Sequence, residues 1–211
     1  MTDLARLRQE YMRGGLDEKD APADPLALFD RWFDDAMQAA LTMVNAMALS
    51  TVSLDGRPSS RIVLLKDVND GGFVFYTNYE SRKGVEINRN AHAALLFAWL
   101  PLERQIRIDG TLTKVSAAES DGYFETRPLG SRHAAIASPQ SEQLENRAAL
   151  EARFNEITKT TGDAPPRPAY WGGYRLLPQE IEFWQGRENR LHDRLLFSRS
   201  AGGWKTTRLA P

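Results

Sequence analysis

Apolar positions first settle into a helical rhythm after residue 24, where Leu28, Phe29, Trp32, Phe33, Ala36 and Met37 recur at spacings that share one helix face. Asp24 supplies an N-cap, and Pro25 suits the first helical position, where a missing N–H costs nothing. Upstream, residues 1–23 read as a charged arm: a short helix over Leu4–Arg13, a Gly14-Gly15 break, then a polar stretch.

The texture then changes to short runs bounded by turns. Ala46–Ser53 and Ser59–Lys66 flank Leu54-Asp55-Gly56-Arg57-Pro58, a hairpin signal in which Gly56 tolerates positive φ. Asn69-Asp70-Gly71-Gly72 turns the chain into a third strand, Phe73–Thr77, and a short helix over Ser81–Arg89 follows. Ala93–Trp99 and Arg104–Val115 are two more strands around Pro101. Ser116-Ala117-Ala118-Glu119 is a capping box opening a helix that stops before Pro128. A further helix is expected over Gln143–Thr160, with Leu144, Ala148, Leu150 and Phe154 apolar. After a loop holding Pro165, Pro166 and Pro168 come the last strands: Tyr174–Leu177, Glu180–Trp184, Asp193–Ser198 and Trp204–Leu209, with Gly202-Gly203 serving the final hairpin. Short strands joined by tight turns predict a mainly β chain with flanking helices (α+β), an antiparallel barrel or sandwich. Strands occupy both ends, so the terminal segment is expected to complete the same sheet: an arm over 1–23 and one domain over 24–211.

Composition narrows the function classes. With 211 residues, 42% apolar and 26% charged, the chain is of ordinary globular make-up, and a net charge of −1 gives no global pull toward nucleic acid or an anionic membrane. It has no cysteine, which excludes disulfides, thiolate catalysis and Cys-ligated metals. The first ten residues lack the apolar core of a signal peptide, and no stretch approaches the ~20 apolar residues of a membrane span. A cytoplasmic protein is the expectation. The three histidines, His92, His133 and His192, are far apart and form no H-E-x-x-H pattern, so no metal is expected. Neither G-x-G-x-x-G nor the P-loop pattern occurs, so any phosphate must be held by side chains and helix ends. Arginine outnumbers lysine 21 to 6, and its rigid fork of donors suits phosphate oxygens.

Four segments carry candidate chemistry. Ser59–Lys66 is a strand with a cation near each end, and strand alternation puts Arg61 and Lys66 on opposite faces. Ser81-Arg82-Lys83-Gly84 sets two cations at a helix start, where free N–H groups favour an anion. Tyr123 and Arg127, four apart on one helix face with Ser131 just beyond the break, offer a second anion pocket. Arg190-Leu191-His192-Asp193-Arg194 concentrates charge beside the aromatics of Phe183-Trp184. The Arg82-Lys83 pair and the Tyr123/Arg127 spacing are each also ordinary surface or helix decoration, whereas the density of the last run is unusual for structure alone.

These segments, in this order, resemble the pyridoxamine 5′-phosphate oxidase family. The matching stretches include Arg61–Lys66 (R-I-V-L-L-K), Phe75–Thr77 with Ser81-Arg82-Lys83, Leu102–Gln105 (L-E-R-Q), Tyr123–Pro128 (Y-F-x-x-R-P), Ser138–Ser141 (S-x-Q-S), Trp171-Gly172-Gly173, Ile181–Gly186 (I-E-F-W-Q-G), Arg190–Arg194 (R-L-H-D-R) and Arg208–Pro211. The resemblance implies an antiparallel FMN-binding split β-barrel and a homodimer with two FMN sites at the subunit interface. It implies oxidation of pyridoxamine or pyridoxine 5′-phosphate to pyridoxal 5′-phosphate by hydride transfer from C4′ to FMN, with O₂ giving H₂O₂. The implied FMN contacts are Arg61, Ile62, Val63, Leu64, Leu65, Lys66, Tyr76, Thr77, Arg82, Lys83, Gln105, Gln140, Ser141, Trp184 and Arg194. The implied substrate contacts are Lys66, Tyr123, Arg127, Ser131, Arg190 and His192, the last two catalytic, with Arg8 and Tyr11 in a segment that closes over the substrate in relatives. The sequence departs from the family at Ser131-Arg132-His133-Ala134-Ala135, where relatives read S-Q-I-G-A, and at Arg187, where a small residue is common. Two other readings stay open: another flavin- or deazaflavin-dependent oxidoreductase on the same barrel, and a non-catalytic flavin or pyridoxal-phosphate carrier.

Overall fold

A computed structural model of the chain describes residues 14–211. The helix expected over Leu4–Arg13, with Arg8 and Tyr11, lies outside the described residues. The elements run α1 (Pro25–Gln38), β1 (Ala46–Val52), β2 (Pro58–Leu64), β3 (Asp67–Asn69), β4 (Gly72–Asn78), α2 (Arg82–Arg89), β5 (His92–Trp99), β6 (Arg104–Lys114), α3 (Ala117–Thr126), α4 (Leu129–Ala137), α5 (Arg147–Thr161), β7 (Trp171–Gln185), β8 (Asp193–Ser200) and β9 (Gly203–Arg208). Hydrogen bonding orders the strands β2-β1-β5-β6-β7-β4-β3, with β8 pairing to β7 and β9 to β8. No helix among the described residues is long and apolar enough to cross a membrane. Two compact units emerge, one of residues up to Leu49 with 94–110 and 178–211, the other of 50–93 and 111–177.

In the first unit α1 is set as its sequence requires. The Asp24 carboxylate accepts the Leu26 N–H at 3.0 Å, and Leu28, Phe29, Trp32 and Ala36 are buried. Phe29 meets Phe97 edge-on at 5.3 Å, and Trp32 meets Phe183 at 5.2 Å and 88°, the geometry aromatic quadrupoles favour. Met37, expected on the apolar face, is 59% exposed. The β7–β8 and β8–β9 ladders are antiparallel, from Glu180↔Ser198 to Gln185↔Asp193 and from Leu195↔Arg208 to Ser200↔Gly203. Arg208 fastens the start of the described chain to this ladder: it bonds the Leu16 carbonyl at 3.0 Å, both oxygens of Glu18 at 2.6 Å and Asp193 at 2.7 Å. Asp193 in turn accepts the Leu16 N–H at 3.0 Å.

The second unit centres on β4, buried along almost its whole length and paired antiparallel with β7 from Phe73↔Leu176 to Asn78↔Trp171. Ser81 caps α2, and the Ser116 hydroxyl accepts the Glu119 N–H at 3.0 Å to start α3. The expected box is only half formed, because the Glu119 carboxylate pairs with Arg175 at 3.1 Å.

Several boundaries differ from the sequence expectation. Tyr174–Leu177 and Glu180–Trp184 belong to one strand, β7, because Pro178 falls between its registers with β4 and β8 and interrupts neither. β2 ends at Leu64, so alternation does not carry through to Lys66. α5 begins at Arg147 because the Asn146 side chain caps Ala149, leaving Leu144 outside it. α4 was not expected, since Pro128 at its N-cap offers no side-chain cap. Two apart, Arg190 and His192 would point the same way on an extended segment, but Glu188–Arg190 is a 3-10 turn, with Asn189 and Arg190 at φ of 56° and 63°. Alternation therefore gives no reason for the two side chains to point alike.

Candidate functional site

The second unit contains a cavity of about 640 Å³. Of the residues expected at the two anion grips, Ile62, Val63, Leu64, Lys66, Tyr76, Thr77, Lys83, Tyr123, Arg127, Ser131 and Gln140 line it. Trp171, Asn78 and Ser138 line it too and had been assigned no contact.

One end is built on the start of α2. Lys83 is only 8% exposed. Its Nζ donates to Thr77 Oγ1 at 3.1 Å, Ser81 Oγ at 2.9 Å and Gln140 Oε1 at 2.8 Å. All three acceptors are neutral, and the Glu86 carboxylate acts on the charge only through space. Burial, reinforced by repulsion from Arg61, lowers its pKa to about 8. A buried cation held this way fits an incoming phosphate, which is the group the tail of FMN would present.

Beneath it lies a carboxylate that the sequence reading overlooked. Glu86 is buried and collects donors on both oxygens. Oε1 takes Arg82 Nε at 2.9 Å, while Oε2 takes Thr51 Oγ1 at 2.5 Å, Ser59 Oγ at 2.6 Å and Arg61 Nη2 at 3.4 Å. Burial pushes its pKa up, but the hydrogen bonds from Ser59, Thr51 and Arg82 outweigh that and hold it down at about 2. Arg61 also bonds Thr51 at 2.6 Å. Its side chain is thus committed to this cluster, while Arg82 is 63% exposed. The i,i+4 spacing of Arg82 and Glu86 was visible in the sequence; the strand partners were not.

At the other end Lys66 stands 5.9 Å from the Tyr123 ring centroid, and Tyr123 stacks on Tyr76 at 3.8 Å and 15°. Arg127 lies over Trp171 at 4.5 Å. Its Nη1 is buried without a hydrogen-bond partner, and burial lowers its pKa. Desolvation likewise pushes the Tyr76 phenol up to about 12. Ser131 reaches the cavity from α4, on a helix and not a loop. The bulk of the neighbouring departure is absorbed away from the cavity: His133 is buried, with Nε2 donating to the Gly162 carbonyl at 2.8 Å and its ring against Phe154. Leu65 is buried outside the cavity lining, and Ser141, beside Gln140, is exposed at φ 77°.

Gln105, Trp184, Arg190, His192 and Arg194 belong to the first unit. Arg194 donates to Glu182 at 2.7 Å and to the Ala210 carbonyl at 2.9 Å. Gln105 is half-buried on β6, and Arg190 is exposed. The His192 Nδ1 accepts the Arg187 backbone N–H at 3.1 Å, and Trp184 packs on the ring at 4.5 Å. The neutral imidazole therefore carries its proton on Nε2. Burial, with Arg190 nearby, lowers the His192 pKa. Arg187, the second departure, donates to the Gly14 carbonyl at 2.8 Å.

Comparison with known proteins shows the family and the fold. Residues 33–161 match the pyridoxamine 5′-phosphate oxidase family model, and residues 171–211 match the pyridoxine 5′-phosphate oxidase C-terminal dimerisation region. The chain is 58% identical over 214 residues to a pyridoxine/pyridoxamine 5′-phosphate oxidase of Burkholderia cenocepacia, and 57% identical over 212 residues to pyridoxine/pyridoxamine 5′-phosphate oxidase 1 of Ralstonia nicotianae, with 100% of both chains covered in each case. Among solved structures, PhzG from Burkholderia lata in complex with tetrahydrophenazine-1-carboxylic acid superposes with a TM-score of 0.89 at 37% identity, covering 94% of this chain and 99% of that one. A pyridoxamine 5′-phosphate oxidase-related, FMN-binding protein of Nostoc punctiforme shares the fold, with a TM-score of 0.70 at 17% identity over 87% of this chain and 97% of that one. The antiparallel split-barrel fold, the matched models and the full-length relatives agree, and the chain belongs to the pyridoxamine 5′-phosphate oxidase family.

Proposed function

We propose that the chain is an FMN-dependent oxidase that converts pyridoxamine 5′-phosphate, pyridoxine 5′-phosphate or both to pyridoxal 5′-phosphate, acting as a cytoplasmic homodimer. The observation that carries this reading is the pair of cationic grips in one cavity: Lys83 with Thr77 and Gln140 for the coenzyme phosphate, and Lys66, Tyr123, Arg127 and Ser131 for the phosphate of the vitamer. The match of 171–211 to a dimerisation region supports the homodimer.

FMN, when bound, accepts two electrons from the substrate and passes them to O₂. The chain's own residues do the rest. A charge-rich phosphate grip remote from the reacting carbon fixes the pyridine ring, so that binding energy restricts motion at the bond to be broken. Arg61, Ile62, Val63, Leu64, Leu65, Lys66, Tyr76, Thr77, Arg82, Lys83, Gln105, Gln140, Ser141, Trp184 and Arg194 keep their proposed FMN role; for Arg61 it runs through Glu86. Arg190 and His192 are proposed to contact the substrate ring, the His192 Nε2–H donating to a ring substituent. Arg8 and Tyr11 are proposed to cover it.

The test is a visible spectrum of purified, flavin-loaded protein before and after anaerobic addition of pyridoxamine 5′-phosphate. Bleaching of the flavin bands is expected; an unbleached yellow protein would indicate a carrier. Arg127→Ala should raise KM for the phosphorylated substrate by about tenfold or more, since a charged hydrogen bond contributes on the order of 1.5–3 kcal/mol, with FMN content unchanged. The PhzG neighbour favours a second reading, oxidation of a fused-ring carboxylic acid. An Arg127→Ala variant with unaltered KM would point there.

A further inference from the structure

Most half-buried arginines among the described residues pair with a carboxylate; Arg127 and its near neighbour Arg132 do not. Arg61 pairs with Glu86, Arg104 with Asp35, Arg175 with Glu119 and Arg194 with Glu182. Arg127 has no carboxylate partner among the described residues, and its Nη1 is buried and unbonded. A buried donor left unmade is costly, so something else must hold the guanidinium where it is. That something is the indole of Trp171, whose face lies 4.5 Å from Arg127 Cζ. A π-face attracts a cation without using any of its N–H groups and without cancelling its charge. A carboxylate would do both.

Trp171 is itself held from several sides. Its N–H donates to the Pro168 carbonyl at 3.0 Å. Its carbonyl accepts Arg167 Nη1 at 2.6 Å, and Arg167 is tied to Asp121 at 2.6 Å. Phe124, one turn back from Arg127, meets the indole at 5.2 Å and 66°. The two glycines that follow let the strand lie flush against its neighbours. A Cβ on Gly172 would stand 2.2 Å from the Tyr79 hydroxyl, and one on Gly173 would stand 2.8 Å from the Tyr76 ring. Tyr76, Tyr123 and Trp171 consequently form three nearly parallel rings, Tyr76 to Trp171 at 13° and Tyr123 to Trp171 at 4°.

We infer that Trp171 is a positioning residue of the vitamer-phosphate grip: its indole presents Arg127 with charge and donors unspent, and so sets the preference for a phosphorylated over an unphosphorylated ligand. This rests on the proposed function for the identity of the ligand. It gives Gly173 a supporting role, since a Cβ there would press on the Tyr76 ring of the stack.

The test compares equilibrium binding of pyridoxal 5′-phosphate and pyridoxal to FMN-loaded protein, read from perturbation of the flavin spectrum. Trp171→Met, which fills volume without a π-face, should weaken binding of the phosphorylated ligand about tenfold or more while leaving pyridoxal within twofold. Trp171→Phe, with a weaker π-face, should fall between. Melting temperature and flavin content report whether each variant is folded, and if the Met variant is not, the Phe variant decides alone, with a loss of threefold or more in the phosphorylated ligand only. An unchanged phosphate preference in a folded variant overturns the inference and leaves the proposed function standing, as does equal weakening of both ligands. Wild-type protein that does not discriminate between the two ligands overturns the proposed function and the inference together.

Discussion

Replacing Lys83 with Met should weaken FMN binding by about 10- to 100-fold, the loss expected for a desolvated charged hydrogen bond of about 1.5–3 kcal/mol. The reason lies in its surroundings: the three hydrogen-bond partners of this buried ammonium are neutral oxygens, and no carboxylate is bonded to it. The pH dependence follows from the same fact. Without ligand its pKa is about 8, lowered by burial and by Arg61. A bound phosphate dianion favours the charged form and raises that value. Below pH 8 the group is protonated free or bound, and affinity is level with respect to it. Above pH 8 binding must take up a proton, and affinity falls by up to about tenfold per unit. Fluorescence titration of the flavin between pH 6.5 and 9.5 should show this break in wild type and lack it in Lys83→Met. Identical slopes in the two proteins would remove Lys83 from the coenzyme grip. For the ligand-free fold the sign is opposite. A lysine whose pKa is depressed costs stability while charged, so stability against this group rises from about pH 8 toward its ordinary value of 10.5.

The second large effect concerns Glu86. Glu86→Gln should lower stability by on the order of 3 kcal/mol, because it leaves Arg61 in a half-buried cluster without its counter-charge. For a chain of this length that corresponds to a melting temperature about 6–12 °C lower, measured by calorimetry on the ligand-free protein. Glu86 is a carboxylate with a depressed pKa, about 2 against an ordinary 4.5. Its contribution is complete above the ordinary value and is lost as pH falls through the range between the two. The variant should therefore show a shallower loss of stability between pH 4.5 and 2. A melting temperature within 2 °C of wild type would mean that the four donors around Glu86 satisfy one another or solvent equally well.

Local signals explain which parts of the molecule could be read in advance. Asp24-Pro25, Ser81 and Ser116 are caps whose partners lie two or three residues away, and each starts the helix it announces. Tyr123 and Arg127 share the cavity at the end of α3, as their four-residue spacing suggested, whereas Ser131 joins them from α4. What stayed hidden depends on distant partners. Glu86 is a single acid in a polar helix until Thr51 and Ser59 arrive from strands some 30 residues away. α4 lacks a capping side chain, and Pro178 reads as a strand breaker until the flanking ladders turn out to leave it unpaired. The two left-handed residues at 189 and 190 carry no glycine to announce them. Trp171 was legible as part of a motif, but its meaning depends on a guanidinium contributed by Arg127, just past the end of α3.

Arg208 grips Leu16, Glu18 and Asp193 at once, three residues from Pro211. The first described residues and the last strand therefore behave as one fastening. Removing Arg208 with the tail would be felt far away in sequence: Leu16 would lose the guanidinium on its carbonyl, and Asp193, next to His192, would keep Arg187 as its remaining cation.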